Sequence, residues 1–222
     1  QDGLRRMFEA KENCFYYITT MNENYHHPEM PADVEEGIIQ GMYLLEEVKA
    51  KKVARKPARK VQLMGSGTIL NEVRAAADLL RDEFGISSDV WSLPSINQLT
   101  REGQSCQRWN VLNPLEEEKV PYISQQLAGH DGPVIVATDY LKAYSEQLRA
   151  FISTDFFTLG TDGFGRSDTR AKLRDFFEVD RRYIAVVALY GLHKQGELKA
   201  EVVSSAIETL GIDASKMDPV LL

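Results

Sequence analysis

Two hydrophobic periods alternate along the chain. Short apolar runs occur at 61–65 (VQLMG), 89–93 (DVWSL), 133–139 (PVIVATD) and 156–160 (FFTLG), and each predicts a strand. PVIVATD is the most continuous and predicts a central strand. Between these runs the apolar residues recur at helical spacing. Within TILNEVRAAADLLRDEFG (68–85), Ile69, Val73, Ala77, Leu80 and Phe84 share one face and Gly85 ends the helix. Further helices are predicted from PSINQL (94–99) onward and at 120–129, 139–152, 169–177, 180–195 and 199–210. YIAVVALY (183–190) has strand-like propensity. It runs on into GLHKQGEL behind a capping Asp180, so it reads as a buried helix. The alternation predicts an α/β fold, a mainly parallel sheet between two helical layers.

The first 60 residues are less regular. Leu4, Met7 and Phe8 fall on one face of a helix over 3–12. That helix is already under way at a Gln1 that is no initiator methionine, so the chain reads as a piece of something longer. CFYYITT (14–20) predicts a buried strand, though one helix and one strand give it no sheet to join. A loop with two prolines (21–31) leads to a short helix over 33–40, which Gly41 breaks. MYLLEEV (42–48) is ambiguous between helix and strand. KAKKVARKPARK (49–60) is the one basic tract. It reads as a solvated loop between two strands, with docking of an acidic partner or phosphate as the alternative.

Composition narrows the function classes. The 222 residues are 43% hydrophobic and 27% charged, which is globular. The net charge of −7 argues against nucleic-acid or anionic-membrane partners. No apolar run approaches the roughly 20 residues of a membrane span, and no signal-peptide pattern opens the chain. Two cysteines, Cys14 and Cys106, make no disulfide framework and suit a reducing cytosol.

Two glycine-rich turns are the candidate binding motifs. GSGTIL (65–70) follows a strand as a dinucleotide fingerprint would, but Leu70 stands where that fingerprint needs a third glycine. Asp89 has the separation of the ribose-binding acid, yet it falls at the beginning of its strand, the wrong end of the sheet. LGTDGFGRSDTR (159–170) is a strand end, a glycine turn and a helix start capped by Ser167 or Asp168. Arg166 and Arg170 lie near enough for a small anion. It lacks the ending of a phosphate loop, and a packed turn at a subunit contact fits it better.

No catalytic constellation emerges. Neither cysteine has a histidine nearby in sequence, and there is no GxSxG. His130 and Asp131 read as a solvated turn, and His193 as solvated at a helix end. Consecutive Glu116, Glu117 and Glu118 cannot share a helix face as an acid/base pair. Glu23, His26, His27 and Glu29 have donor chemistry for a metal, but adjacent histidines on an extended loop point apart, so no metal is assigned.

Long ordered blocks nonetheless carry a resemblance. VQLMGSGTILNEV, SLPSINQLTREGQSCQRWNVLNPLEEEKVPYISQQLAG, ATDYLKAYSEQLRAFI and LGTDGFGRSDTRAKLRDFFEVDRRYIAVVAL closely resemble bacterial homodimeric pyruvate dehydrogenases, thiamine diphosphate-dependent decarboxylases of the transketolase-like class. FYYITTMNENYHHPEMP is similar to the end of that family's middle domain. The resemblance implies that residues 1–40 end a pyrimidine-binding domain and that 41–222 form a transketolase-like C-terminal domain. It implies a three-layer α/β/α sandwich with a five-stranded, mainly parallel sheet. In it 42–48 is an antiparallel edge strand beside 61–65, with 49–60 a hairpin loop. It further implies a parent that uses thiamine diphosphate and Mg2+ on segments absent from this sequence. This chain would then hold no catalytic, cofactor or metal residue. The implied partners are the rest of the subunit, a second identical subunit and the dihydrolipoyl acetyltransferase component, in the cytoplasm.

Overall fold

The computed structural model describes residues 1–21, 24–50 and 59–222. Its centre is a five-stranded sheet of β1 (Tyr43–Val48), β2 (Lys60–Gly65), β3 (Ser87–Ser92), β4 (Val134–Ala137) and β5 (Phe156–Leu159), in the order β1-β3-β2-β4-β5. β3, β2, β4 and β5 are parallel, and β1 runs antiparallel along β3. The expected antiparallel edge strand is therefore present, but it does not lie beside β2. Both edges of β2 are taken by parallel partners that α-helical crossovers deliver, so β1 is left the outer edge of β3. Because β3 separates β1 from β2, the connection between them is no hairpin; residues 51–58 of it lie outside the described residues.

Strand residues alternate between two apolar layers, as the pleat requires. Val61, Leu63, Val90, Ile135 and Ala137 pack against α3 (Ile69–Phe84), α8 (Arg181–Lys194) and α9 (Ala200–Thr209). Met64, Trp91, Val134, Val136 and Phe156 face α4 (Ile96–Leu112) and α5 (Tyr122–Leu127). α8 opens under Asp180, whose carboxylate accepts from the backbone N–H groups of Arg182 and Tyr183, so the strand-like run 183–190 is helical. It is buried against the sheet, where local propensity yields to packing.

Three expectations fail locally. The helix predicted over 139–152 is only α6 (Lys142–Glu146) followed by a 3-10 turn at Arg149–Phe151. The backbone before it is committed elsewhere: Tyr140 N–H donates to the Thr138 hydroxyl, and the Tyr140 carbonyl accepts from Thr161 N–H. α7 (Arg170–Phe176) is capped by Thr169, whose hydroxyl accepts from Lys172 N–H, and not by Ser167 or Asp168. CFYYITT forms no strand. After a helical stretch over α1 (Asp2–Leu4) and a π-turn at Arg5–Glu9, it runs irregularly with Phe15, Tyr17 and Ile18 exposed. The remaining short helix, α2 (Glu35–Gln40), stops at a left-handed Gly41, as expected.

Candidate functional site

The glycine turns sit at the carboxyl end of the sheet. A Cβ on Gly65 would lie 2.8 Å from Cα of Leu70 and 3.0 Å from Val73, so this turn closes on its own helix. The second turn is likewise occupied by its neighbours. A Cβ on Gly160 would meet the Tyr140 carbonyl at 2.5 Å. The Thr161 hydroxyl donates to the Asp139 carbonyl at 2.8 Å, and Lys142 N–H donates to Asp162 at 2.9 Å. The backbone is thus closed at Gly65 and at Gly160, while farther along the second turn residues 163–168 are exposed and Gly165 has nothing within 4 Å of where a Cβ would stand.

The main polar cluster lies toward the opposite end. Gln62 and Asp89 are paired across β2 and β3, and the pleat puts Lys60, Gln62, Asp89 and Trp91 on the α4/α5 face. Asp89 has no exposed surface. Its Oδ2 accepts from Lys60 Nζ at 2.6 Å and lies 2.7 Å from Nδ1 of His130. His130 arrives on the turn between α5 and β4. A Cβ on Gly132, at φ +99°, would lie 2.0 Å from the Lys60 carbonyl, so only glycine lets this turn close onto β2. Trp91 Nε1 donates to Gln62 Oε1, and Gln62 Nε2 donates to the Asp131 carbonyl, each at 2.8 Å. The His130 ring stands edge-on to Trp91 with centroids 5.0 Å apart.

Burial pushes the Asp89 carboxyl up. Hydrogen bonds from Lys60 and His130, with the Gln62 amide nearby, outweigh that and leave it below the ordinary value of 3.8. An ionised carboxylate can only accept, so Nδ1 of His130 carries the proton that faces it. His130 is thus a held residue, not the solvated one its sequence suggested. Asp89, committed here to a lysine and a histidine, is not aimed at the carboxyl end where a ribose would lie. Sequence reasoning missed the pair because 41 positions separate its members. The one available signal was a carboxylate inside an otherwise strand-like run.

Other expected candidates are separated. His193 directs Nδ1 to the Leu198 carbonyl at 3.0 Å, so it too is engaged. The buried Cys106 thiol donates to Glu102 at 3.1 Å, and burial followed by that carboxylate pushes it up to about 11, away from a thiolate nucleophile. His26, His27 and Glu29 are exposed, and Glu23 lies outside the described residues. Among the described residues no three His, Cys, Asp or Glu side chains are grouped to hold a metal.

This fold has known counterparts. Residues 41–180 match the transketolase-like TK C-terminal domain family, and residues 1–28 match the pyruvate dehydrogenase E1 component middle domain. The chain is 52% identical to the pyruvate dehydrogenase E1 component of Pseudomonas aeruginosa over 99% of its length, and 50% identical to that of Escherichia coli over 98%. It spans 24% of each, about a quarter of the length of these relatives. A solved transketolase from Campylobacter jejuni overlaps 74% of this chain and 20% of its own at a TM-score of 0.46 and 19% identity. No described helix is long and apolar enough to cross a membrane. With the family match running from the edge strand through the cap of α8, the chain belongs to the transketolase-like C-terminal domain family, in the form found in pyruvate dehydrogenase E1 components.

Proposed function

We propose that this chain is the scaffold end of a pyruvate dehydrogenase E1 subunit, with residues 1–40 as the tail of the middle domain and 41–222 as the C-terminal domain. The parent would decarboxylate pyruvate on thiamine diphosphate with Mg2+ and pass a two-carbon unit to a lipoyl group of the dihydrolipoyl acetyltransferase component, in the cytoplasm. The observation that carries this is identity of 52% running through nearly the whole chain.

The residues present do not fit the coenzyme. Its diphosphate needs a backbone cradle and its Mg2+ a set of hard oxygen donors. Gly65 is closed by Leu70 and Val73 and Gly160 by the Tyr140 carbonyl, and the described residues offer no group of three or more His, Cys, Asp or Glu side chains to hold the ion. No step of the coenzyme's chemistry is assigned to them. The proposed contribution is support of the rest of the subunit and of a second identical subunit. The exposed Phe15, Tyr17 and Ile18 favour it, since they are an apolar face that another part of such a subunit would cover. The competing reading is a Rossmann-like module that binds a regulatory anion or nucleotide at 65–68 or 163–168; the closed Gly65 turn counts against the first of these places.

The test is a pyruvate decarboxylation assay on the isolated chain with thiamine diphosphate and Mg2+ added. No turnover is expected, and turnover would overturn the scaffold reading. Equilibrium dialysis against nucleotides and acyl phosphates checks the competitor, for which no retention is expected.

A further inference from the structure

The last turn of α7 holds a cation that comes from far along the chain. Lys216 Nζ donates to the carbonyls of Asp175 at 2.6 Å and Phe176 at 2.8 Å, and stands 3.5 Å from Oε1 of Glu178. It also lies 5.8 Å over the Phe176 ring and 5.2 Å over the Tyr183 ring. Two carbonyls, one carboxylate and two aromatic faces thus surround a single nitrogen.

Every wall of this cage comes from residues 175–183, so site and occupant are separate pieces of chain. The last carbonyls of a helix have no partner within it and carry the negative end of its dipole. Glu178, at a left-handed φ of +61°, turns the chain toward α8, whose first turn supplies Tyr183. Arg182 takes the carboxylates of Asp175 and Asp180, at 2.5 and 2.6 Å, so Glu178 is the one left to the cage. The field is negative: burial, then Glu178 and Asp175, push the Tyr183 hydroxyl up to about 12. The oxygens also match a primary ammonium, which has three N–H donors to give. A quaternary ammonium has none for the carbonyls, and a neutral group gains nothing from the carboxylate or the ring faces.

The stretch that carries Lys216 is lightly tied. No residue of 213–222 is buried. Among the described residues, the hydrogen bonds that join this stretch to the rest of the chain are the two of Lys216. Its other bonds stay within it, at Asp213, Ser215, Asp218 and Pro219. Pro219 lies against the second glycine turn, its carbonyl 3.1 Å from where a Cβ on Gly163 would stand.

We propose that the end of α7 is a binding site for a primary alkylammonium group, a lysine side chain or a free alkylamine, and that Lys216 plugs it from within the chain. Residues 213–222 then act as a strap. While Lys216 is seated, its high effective concentration excludes external amines, and once it leaves the cage is open to them. The site does not rest on the scaffold reading.

Lys216→Ala empties the cage. n-Butylammonium, n-butanol and tetramethylammonium are titrated at neutral pH and matched ionic strength into this variant and into the unaltered 222-residue chain. Backbone amide spectra over 174–184 and urea midpoints are the readouts. n-Butylammonium should shift those amides of Lys216→Ala saturably and raise its midpoint, and should bind the unaltered chain at least tenfold more weakly. n-Butanol and tetramethylammonium should do neither. Adding Glu178→Gln should weaken n-butylammonium several-fold. Nα-acetyl-lysine amide separates the two sources: binding like that of n-butylammonium admits a lysine side chain, and its failure beside n-butylammonium confines the site to free amines. If Lys216→Ala does not fold alone, recovery of its spectrum by n-butylammonium and not by n-butanol is the expected result. No saturable shift in the folded variant, no recovery of an unfolded one, equal binding of n-butanol or tetramethylammonium, or equal binding to the unaltered chain would each overturn the proposal.

Discussion

Oε2 of Glu72 accepts from both the backbone N–H and Nε of Arg181, at 3.1 and 2.9 Å, across 109 positions of sequence. Its Oε1 accepts from Nη2 of Arg181 at 3.1 Å and from Nη1 of Arg174 at 3.0 Å. One nearly buried carboxylate thus ties α3 to α7 and to the first turn of α8. Arg174 also donates to the Tyr25 hydroxyl at 3.3 Å, which attaches the N-terminal segment to the same point.

Arg181→Leu should therefore destabilise the chain by only about 1 kcal/mol, since Arg174 and the backbone N–H of residue 181 still hold the buried carboxylate. Adding Arg174→Leu should cost more than the two single losses together, because only then is the buried charge left without a cation. Urea unfolding of the two single variants and the double variant checks this. If the losses simply add, the shared-carboxylate account fails.

The same carboxylate gives an acid dependence. Burial pushes Glu72 up, but its hydrogen bonds and charge contacts with Arg181 and Arg174 prevail and hold it below 4.5. A carboxyl lowered in the folded state adds stability above its unfolded value and loses it as pH falls through the folded one. Asp89, lowered below 3.8, acts in the same direction. Stability should stay level above the ordinary carboxylate range and fall from about pH 4.5 downward. The curve of Glu72→Gln should be shallower than that of the parent chain over that window, as followed by urea midpoints at a series of pH values.

Two glycines with positive φ should respond differently to alanine. Gly85 at φ +63° has nothing within 4 Å of where an alanine methyl would stand, so Gly85→Ala costs only the left-handed backbone, about 1–2 kcal/mol. Gly132 at φ +99° would put the new carbon 2.0 Å from the Lys60 carbonyl, so Gly132→Ala must also move β2 or the His130 turn. Its cost should exceed that of Gly85→Ala by ~2 kcal/mol or more, in the range of core strain. Thermal unfolding of the pair measures the difference, and equal midpoints would contradict the close contact.

The exposed run Phe15, Tyr17 and Ile18 predicts self-association of the isolated chain, because an apolar face with no cover lowers its free energy by pairing. Replacing the three with serine should return the chain to monomer in static light scattering. Monomeric behaviour of the unaltered chain at high concentration would remove the basis for an absent cover.

The sequence by itself determined the alternation of strands and helices from β2 onward, because periods of two and of 3.6 are written in neighbouring residues. It also determined local stops and caps: Gly41 and Gly85 end their helices and Asp180 starts α8, each acting within a few positions. The resemblance carried by the long blocks added the antiparallel edge strand. Only the tertiary structure decided which strand that edge adopts, since β1 takes the free side of β3 after crossovers fill both sides of β2. It decided that CFYYITT forms no strand, because β propensity without a neighbour leaves the backbone unpaired. It also decided the candidate site. Lys60 and Glu72 are inconspicuous where they stand in sequence, Asp89 and His130 stand out there only for other roles, and the chemistry of all four follows from burial and from partners that the fold brings from tens of positions away.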